Sequence, residues 1–382
     1  MDMSRLPPAP YFDPEELRQT LTGILQDHDG DAAEARPAMI ERLKTLVKAA
    51  RGTARLQLEQ DGNGRRCAMG LARFQDELVR LIYDYTATHV YRATNPSDAE
   101  RMAVVATGGY GRELLAPGSD IDLLFLLPYK QTPWGESIAE YILYVLWDLG
   151  FKVGHATRTV DQCLKLAGMD TTIRTSLLDM WLIHGDAELY AELERRFRSE
   201  VIKGSERAFV DAKLAERSER HRRAGESRYR VEPNIKDGKG GLRDLHTLHW
   251  LSKYLTGHEV GPQTVAMGIF TPEEAATFRK CENFLWTVRC FLHFYTGRAE
   301  ELLSFDLQPV LAERLGYRDK GGLRAVERFM KHYFLVAKDV GDLTAILCTA
   351  LEMQQLKSTP VLSGILSPMT WRMRRQIRDT TD

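Results

Sequence analysis

Two short runs of aliphatic residues constrain this chain more than any other feature: 102–107 (MAVVAT) and 121–127 (IDLLFLL). Both have the length and apolar content of buried strands. The flanking segments instead repeat their apolar residues at spacings of three and four, the period of an amphipathic helix. In 66–89 that stripe is Leu71, Phe74, Leu78, Leu81, Ile82 and Tyr85, with polar residues on the other face that predict a solvated outer layer. In 134–149 it is Ile138, Tyr141, Ile142, Val145 and Leu146, and 151–159 then alternates as a third strand. Strands separated by a helix define a small α/β unit.

From residue 160 onward helical spacing dominates, over 160–167, 171–183, 188–202, 206–223, 242–255, 272–295 and 318–352. The second half is therefore expected to be all-α. Upstream, a Pro-rich arm extends to Pro14, a helix covers 15–27, and Gly, Asp and Ala mark a loop over 29–37. The expected fold class is α+β, divided into an N-terminal helical, partly flexible arm (1–64), a small α/β domain (65–168), an all-α domain (169–358) and a weakly ordered tail (359–382).

Composition narrows the function classes. The 52 basic and 53 acidic side chains cancel, so no whole-molecule field draws the chain to nucleic acid or an anionic membrane, and any phosphate site must be local. Cys67, Cys163, Cys281, Cys290 and Cys348 are odd in number, with no CxxC pair, which fits reduced thiols in a cytoplasmic protein better than disulfides or zinc. No stretch of 18 apolar residues occurs, so no membrane partner is expected.

The chemistry concentrates in 108–123, GGYGRELLAPGSDIDL, between the two strands. In Asp120-Ile121-Asp122 the carboxylates are two residues apart, so on a strand they share a face while Ile121 points into the core. Two carboxylates plus substrate phosphates suit a hard cation, Mg²⁺ or Mn²⁺. Gly108 and Gly109, with Gly111 after them, permit a tight turn and close approach of backbone N–H groups to a triphosphate. Arg112 and Ser119 are positioned to add hydrogen bonds to phosphate. An isolated Asp-x-Asp usually marks solvated acids. Strand, Gly-Gly, ten residues, then Asp-hydrophobic-Asp opening a second strand is a far rarer conjunction, and it points to a metal-dependent nucleotide site.

A second stretch, 229–243 (YRVEPNIKDGKGGLR), interrupts the helices with one Pro and three Gly. A solvated connector is the plain reading. The functional one has Lys236, Lys239 and Arg243 meeting phosphates or an acceptor, with Glu232, Asn234 and Asp244 in support. The basic helix before it alternates with Glu216, Glu219 and Glu226, which reads as a salt-laced solvent face rather than a nucleic-acid surface.

GGYGRELLAPGSDIDLLFL resembles the Gly-Gly and Asp-x-Asp pattern of the DNA polymerase β-like nucleotidyltransferases. Together with EPNIKDGKGGLRDLHTLHW from Glu232 and GHATRTVDQ from Gly154, it is similar to the bacterial PII uridylyltransferases of nitrogen regulation. The resemblance implies transfer of UMP from UTP to a tyrosine of the PII signal protein. It also implies Mg²⁺ or Mn²⁺, with Gly108, Gly109, Asp120 and Asp122 at the site. Relatives of that kind continue into an HD hydrolase and ACT domains beyond the segments matched here, so transfer without uridylyl removal is expected. The third carboxylate usual in that superfamily is not placed by the sequence, since 151–159 contains none and Asp161 lies at its end. Two alternatives stand beside this reading: an adenylyltransferase acting on glutamine synthetase, and a non-catalytic nucleotide-binding regulator.

Overall fold

The computed structural model describes residues 11–92, 97–223, 225 and 229–356. The expected tail at 359–382 and the start of the N-terminal arm lie outside the described residues. The chain forms two compact units. One comprises Met1–Asp61, Arg65–Lys203 and Gly297–Ala299, the other Gly62–Gly64, Gly204–Thr296 and Glu300–Asp382.

The first unit opens with α1 (Pro14–Gln26), whose cap Asp13 accepts hydrogen bonds from the Glu15 and Glu16 N–H groups while Pro14 takes the first helical position. The expected loop over 29–37 is shorter than its composition suggested. Asp31 accepts from the Ala33 and Glu34 N–H groups, and α2 (Ala32–Asp61) starts there and carries Pro37 inside it. The helix α3 (Gly64–Tyr85) also departs from expectation, because its polar side is not a solvated layer. Of its residues only Arg66 is exposed, and Gln75 and Asp76 are buried.

The sheet follows. β1 (Ala103–Ala106) leads into a one-turn helix α4 (Gly108–Gly111), β2 (Ile121–Leu127), α5 (Pro133–Asp148), β3 (Val153–Thr159), α6 (Val160–Met169), α7 (Thr171–Leu178), β4 (Trp181–Gly185) and α8 (Ala187–Arg196). The strand order is β3-β2-β1-β4, with β1 antiparallel to both its neighbours and β2 parallel to β3. β1 is fully buried, and β2 is buried except at Asp122, which accounts for their unbroken apolar sequences. Residues 171–183, expected as one helix, divide at Asp179 into α7 and β4. Pairing of β4 along β1, Ala106 opposite Trp181, overrides the local helical spacing and brings 169–203 into the sheet unit rather than the helical domain.

The second unit contains α9 (Glu206–Arg223), α10 (Leu242–Thr256), α11 (Pro262–Ala266), α12 (Pro272–Thr296), α13 (Leu307–Arg314) and α14 (Ala325–Leu356). α10 ends on Gly257 at φ +77°, the left-handed conformation that favours glycine at a helix terminus. Among the described residues its only β-type pairings are the isolated bridges Asn234–Leu302 and Lys320–Leu323. The second bridge occupies part of 318–324, so the last helix begins seven residues later than its apolar spacing implied. The α+β class stands, with a small sheet unit followed by a helical one.

Candidate active site

Asp122 sits near the start of β2, and its backbone carbonyl accepts the Thr107 N–H at 3.0 Å, which fixes the end of β1 against it. Across the parallel pairing it lies opposite Gly154. A Cβ on Gly154 would stand 2.5 Å from Asp122 Oδ1, and one on Gly108 would stand 3.2 Å from Asp122 Oδ2. The carboxylate thus projects into space kept clear by two glycines from two different elements. Gly108 adopts φ +58°, which lets the chain turn directly from β1 into α4. Ile121 is buried between the two acids and Asp120 is exposed, the alternation the spacing required. Ser119 closes a turn on the Ala116 carbonyl just ahead of the pair.

The glycine turn is pinned at two points. Tyr110, fully buried, donates its hydroxyl to Asp76 Oδ1 of α3 at 2.6 Å, and Trp181 Nε1 of β4 donates to Oδ2 at 3.2 Å. Burial pushes the Asp76 carboxyl up to about 6, against the Tyr110 hydrogen bond and the Arg80 charge, which pull it back. Burial, reinforced by the neighbouring Asp76 charge, holds the Tyr110 hydroxyl well above its usual range, so it remains a donor. At the other end, Arg112 Nη1 lies 2.7 Å from Asp179 Oδ2, and the two side chains are only 8% and 0% exposed. The Arg112 guanidinium is therefore committed to an internal ion pair rather than presented to a phosphate, and it acts on the site by holding the turn. Gly111 permits this packing, since a Cβ there would fall 1.6 Å from the Asp179 carbonyl oxygen.

Among the described residues no three His, Cys, Asp or Glu side chains converge to hold a metal ion. Asp161 gives no third ligand: its side chain is largely exposed and pairs with Arg196 at 2.8 Å. The residues whose chemistry fits a hard cation are Asp120 and Asp122, two carboxylates with Gly108 and Gly154 making space for the Asp122 side chain. The His28-Asp29 dipeptide lies in the turn after α1, where His28 Nδ1 is 2.8 Å from the Ile24 carbonyl oxygen, a capping contact.

The second unit gathers the other candidates around the loop before α10. Asn234 Oδ1 accepts the Lys236 and Asp237 N–H groups, and Glu232 accepts the Phe305 N–H at 2.9 Å. Both shape the loop. Asp244, completely buried, accepts from Arg220, from His221 Nε2 at 2.9 Å and from the Gly240 N–H at 2.8 Å. Burial alone would raise its pKa, but His221, Arg220 and the Gly240 N–H together hold it below the ordinary carboxylate value. The basic helix is thus not wholly a solvent face: Arg222 and Arg223 pair outward with Glu219, while Arg220 and His221 turn inward to this carboxylate. Arg243 pairs weakly with Asp237 at 3.3 Å and lies over the Trp250 ring.

Asp76, Asp179 and Ser176 escaped the sequence reading. Asp179 did leave a signal, as a lone acid inside the apolar run 177–183. Ser176, whose Oγ would lie 3.7 Å from a Cβ on Gly108, left none.

A mixed four-stranded sheet, a double-glycine turn after one strand and an Asp-x-Asp opening the next define a nucleotidyltransferase-type domain, here followed by a helical unit. The model of the GlnD PII-uridylyltransferase family matches residues 208–348. The chain is 55% identical over 372 residues to a bifunctional uridylyltransferase/uridylyl-removing enzyme of Bradyrhizobium diazoefficiens, covering 97% of this chain and 40% of that protein. Proteins described in the same words from Rhodopseudomonas palustris (52% over 383 residues, 100% and 41%) and Nitrobacter winogradskyi (53% over 371 residues, 97% and 40%) are similar to it as well. Residues 208–348 are thus a PII-uridylyltransferase family domain, and the chain, similar to these relatives along nearly all of its own length, spans about two fifths of theirs.

Proposed function

We propose that this chain carries the transferase activity of that family, moving UMP from UTP to a tyrosine hydroxyl of the PII signal protein in a reaction that requires Mg²⁺ or Mn²⁺. The observation that carries the reading is the Asp122 carboxylate held in the clearance between Gly108 and Gly154, with Asp120 next along the same face. Asp120 and Asp122 would hold the ion, which neutralises charge on the triphosphate and lowers the pKa of the incoming tyrosine, normally about 10. The N–H groups of Gly108 and Gly109 head a helix and have no intrahelical acceptor, so they suit phosphate oxygens. Ser119 supplies a hydroxyl donor beside the acids. Arg112 and Tyr110 hold the turn that presents those donors, through Asp179 and Asp76.

The test is UMP transfer to purified PII from labelled UTP with Mg²⁺ for the wild-type chain and Asp122→Asn. Transfer is expected to fall at least about a hundredfold, since an amide is a poor ligand for a hard cation, while the circular dichroism spectrum stays unchanged. An undiminished rate in the variant, or transfer from ATP with none from UTP, overturns the reading.

A further inference from the structure

In the second unit, hydrogen bonds draw three cationic residues from two parts of the sequence into one neighbourhood. The Arg243 N–H donates to the Lys236 carbonyl at 2.8 Å, which sets those two residues side by side at the base of the loop. The Ile235 N–H donates to the Glu301 carbonyl at 2.8 Å, and Asn234 bridges to Leu302. Glu301 in turn accepts from two guanidinium nitrogens of Arg289 in α12, Nε at 3.0 Å and Nη2 at 2.5 Å.

The balance of charge there is uneven. Glu301 is taken up by Arg289, with His293 Nε2 at 3.6 Å, and Asp237 is paired with Arg243. Lys236 is half-buried, and its ammonium has neither a hydrogen bond nor an ion pair among the described residues. Burial lowers its pKa, and the charges of Arg289 and Arg243 lower it further, outweighing the opposing pull of Glu301 and Asp237. A lysine withdrawn from water beside two guanidinium groups is unfavourable by itself and becomes favourable once an anion joins them.

Most of the loop backbone is already committed and offers an anion few donors. The N–H groups of Lys236, Asp237, Gly238, Gly240, Gly241, Leu242 and Arg243 are each already bonded within the protein. Apart from the Lys239 N–H, side chains must therefore do the binding. Both guanidinium groups lie over an indole, Arg243 at 5.8 Å from the Trp250 ring centre and Arg289 at 5.1 Å from that of Trp286, contacts that restrain them before any ligand arrives.

We propose that Lys236, Arg243 and Arg289 form an oxyanion subsite within the helical unit, built for phosphoryl groups such as those of pyrophosphate or of a nucleotide's phosphate chain. The proposal deepens the transferase reading by adding Arg289 and a ligand class, yet it stands on the second unit alone.

The test titrates the full chain with pyrophosphate in the presence of EDTA, which removes divalent ions from Asp120 and Asp122. Binding is read by calorimetry and by the intrinsic fluorescence to which Trp250 and Trp286 contribute. Saturable binding is expected in the wild type and in Asp122→Asn. Lys236→Gln and Arg243→Lys are each expected to weaken it about tenfold or more, the loss of one charge-assisted contact. Lys236→Gln has a second expected signature: without ligand it melts at a higher temperature than wild type, and it loses the rise that pyrophosphate gives the wild type. A Lys236 that merely supported the fold would lower that temperature instead. Uridine, inorganic phosphate and UTP in parallel titrations distinguish a free phosphate from a nucleotide phosphate as the source. Pyrophosphate binding unaffected by Lys236→Gln, binding abolished by Asp122→Asn, or tighter binding of a dicarboxylate such as glutarate would each overturn the proposal. Failure of UMP transfer with Lys236-dependent pyrophosphate binding retained would sink the transferase reading and leave the subsite standing.

Discussion

Replacing Tyr110 by Phe removes one hydroxyl from the best-buried polar contact of the glycine turn. The hydroxyl donates at 2.6 Å to a carboxylate that is 5% exposed, and Trp181 Nε1 is the other side-chain donor to it. A hydrogen bond to a charged group contributes about 1.5–3 kcal/mol, so a loss of roughly 2 kcal/mol is expected where Asp76 is ionised. The pH dependence follows from linkage. The folded-state pKa of Asp76 is already raised to about 6 from 3.8, so its ionisation costs the fold stability above that value, and the cost is relieved as pH falls through about 6 toward 3.8. Removing the donor raises the folded pKa further, because the hydroxyl stabilised the charged form. The difference between wild type and Tyr110→Phe is therefore largest at pH 8 and shrinks at pH 5, where the neutral carboxyl keeps only an ordinary hydrogen bond of about 1 kcal/mol to lose. Urea midpoints at pH 5, 6.5 and 8 measure it. A difference that stays constant over that range, or grows toward pH 5, would refute the assignment of Asp76 as the ionised partner of Tyr110.

Glycine replacements separate site geometry from fold. Gly154→Ala places a Cβ 2.5 Å from the end of the Asp122 side chain, which can rotate away, so UMP transfer is expected to fall toward the Asp122→Asn level with little change in melting temperature. Gly111→Ala meets the Asp179 backbone carbonyl at 1.6 Å, which cannot move aside, and is expected to lose at least about 3 kcal/mol in a denaturant titration. Asp244→Ala leaves Arg220 and His221 facing each other without their buried partner, and a loss of about 3–5 kcal/mol in the same measurement is expected.

What could be read in the sequence was what depends on neighbours along the chain. β1 and β2 announce themselves because both faces are buried and their residues are apolar without a break. The α9 boundaries, Glu206–Arg223, match the expected ones for a similarly local reason. The missed parts depend on residues that meet only after folding. β4 is a strand because β1, some eighty residues earlier in the chain, offers it an edge, and nothing in 181–185 alone outweighs helical spacing. Asp76 belongs to the turn only because Tyr110, 34 residues on, reaches back to it. Arg112 looked free for phosphate because Asp179, its partner, is 67 residues away.

The two glycine-rich stretches look alike in composition but solve opposite problems. In 108–111, Gly108 makes room beside the Asp122 carboxylate and Gly111 lets the turn pack against the Asp179 carbonyl, and on the proposed reading the N–H groups at the start of α4 would meet negative charge. In 238–241 they let the loop press against α14, where a Cβ on Gly240 would stand 2.3 Å from the Ala337 carbonyl oxygen. Their N–H groups are spent inside the loop. On the proposed reading, an anion there would be met chiefly by Lys236 and the guanidinium groups. The second stretch should be sensitive to the charge of a single lysine, because the N–H groups of its three glycines are already bonded.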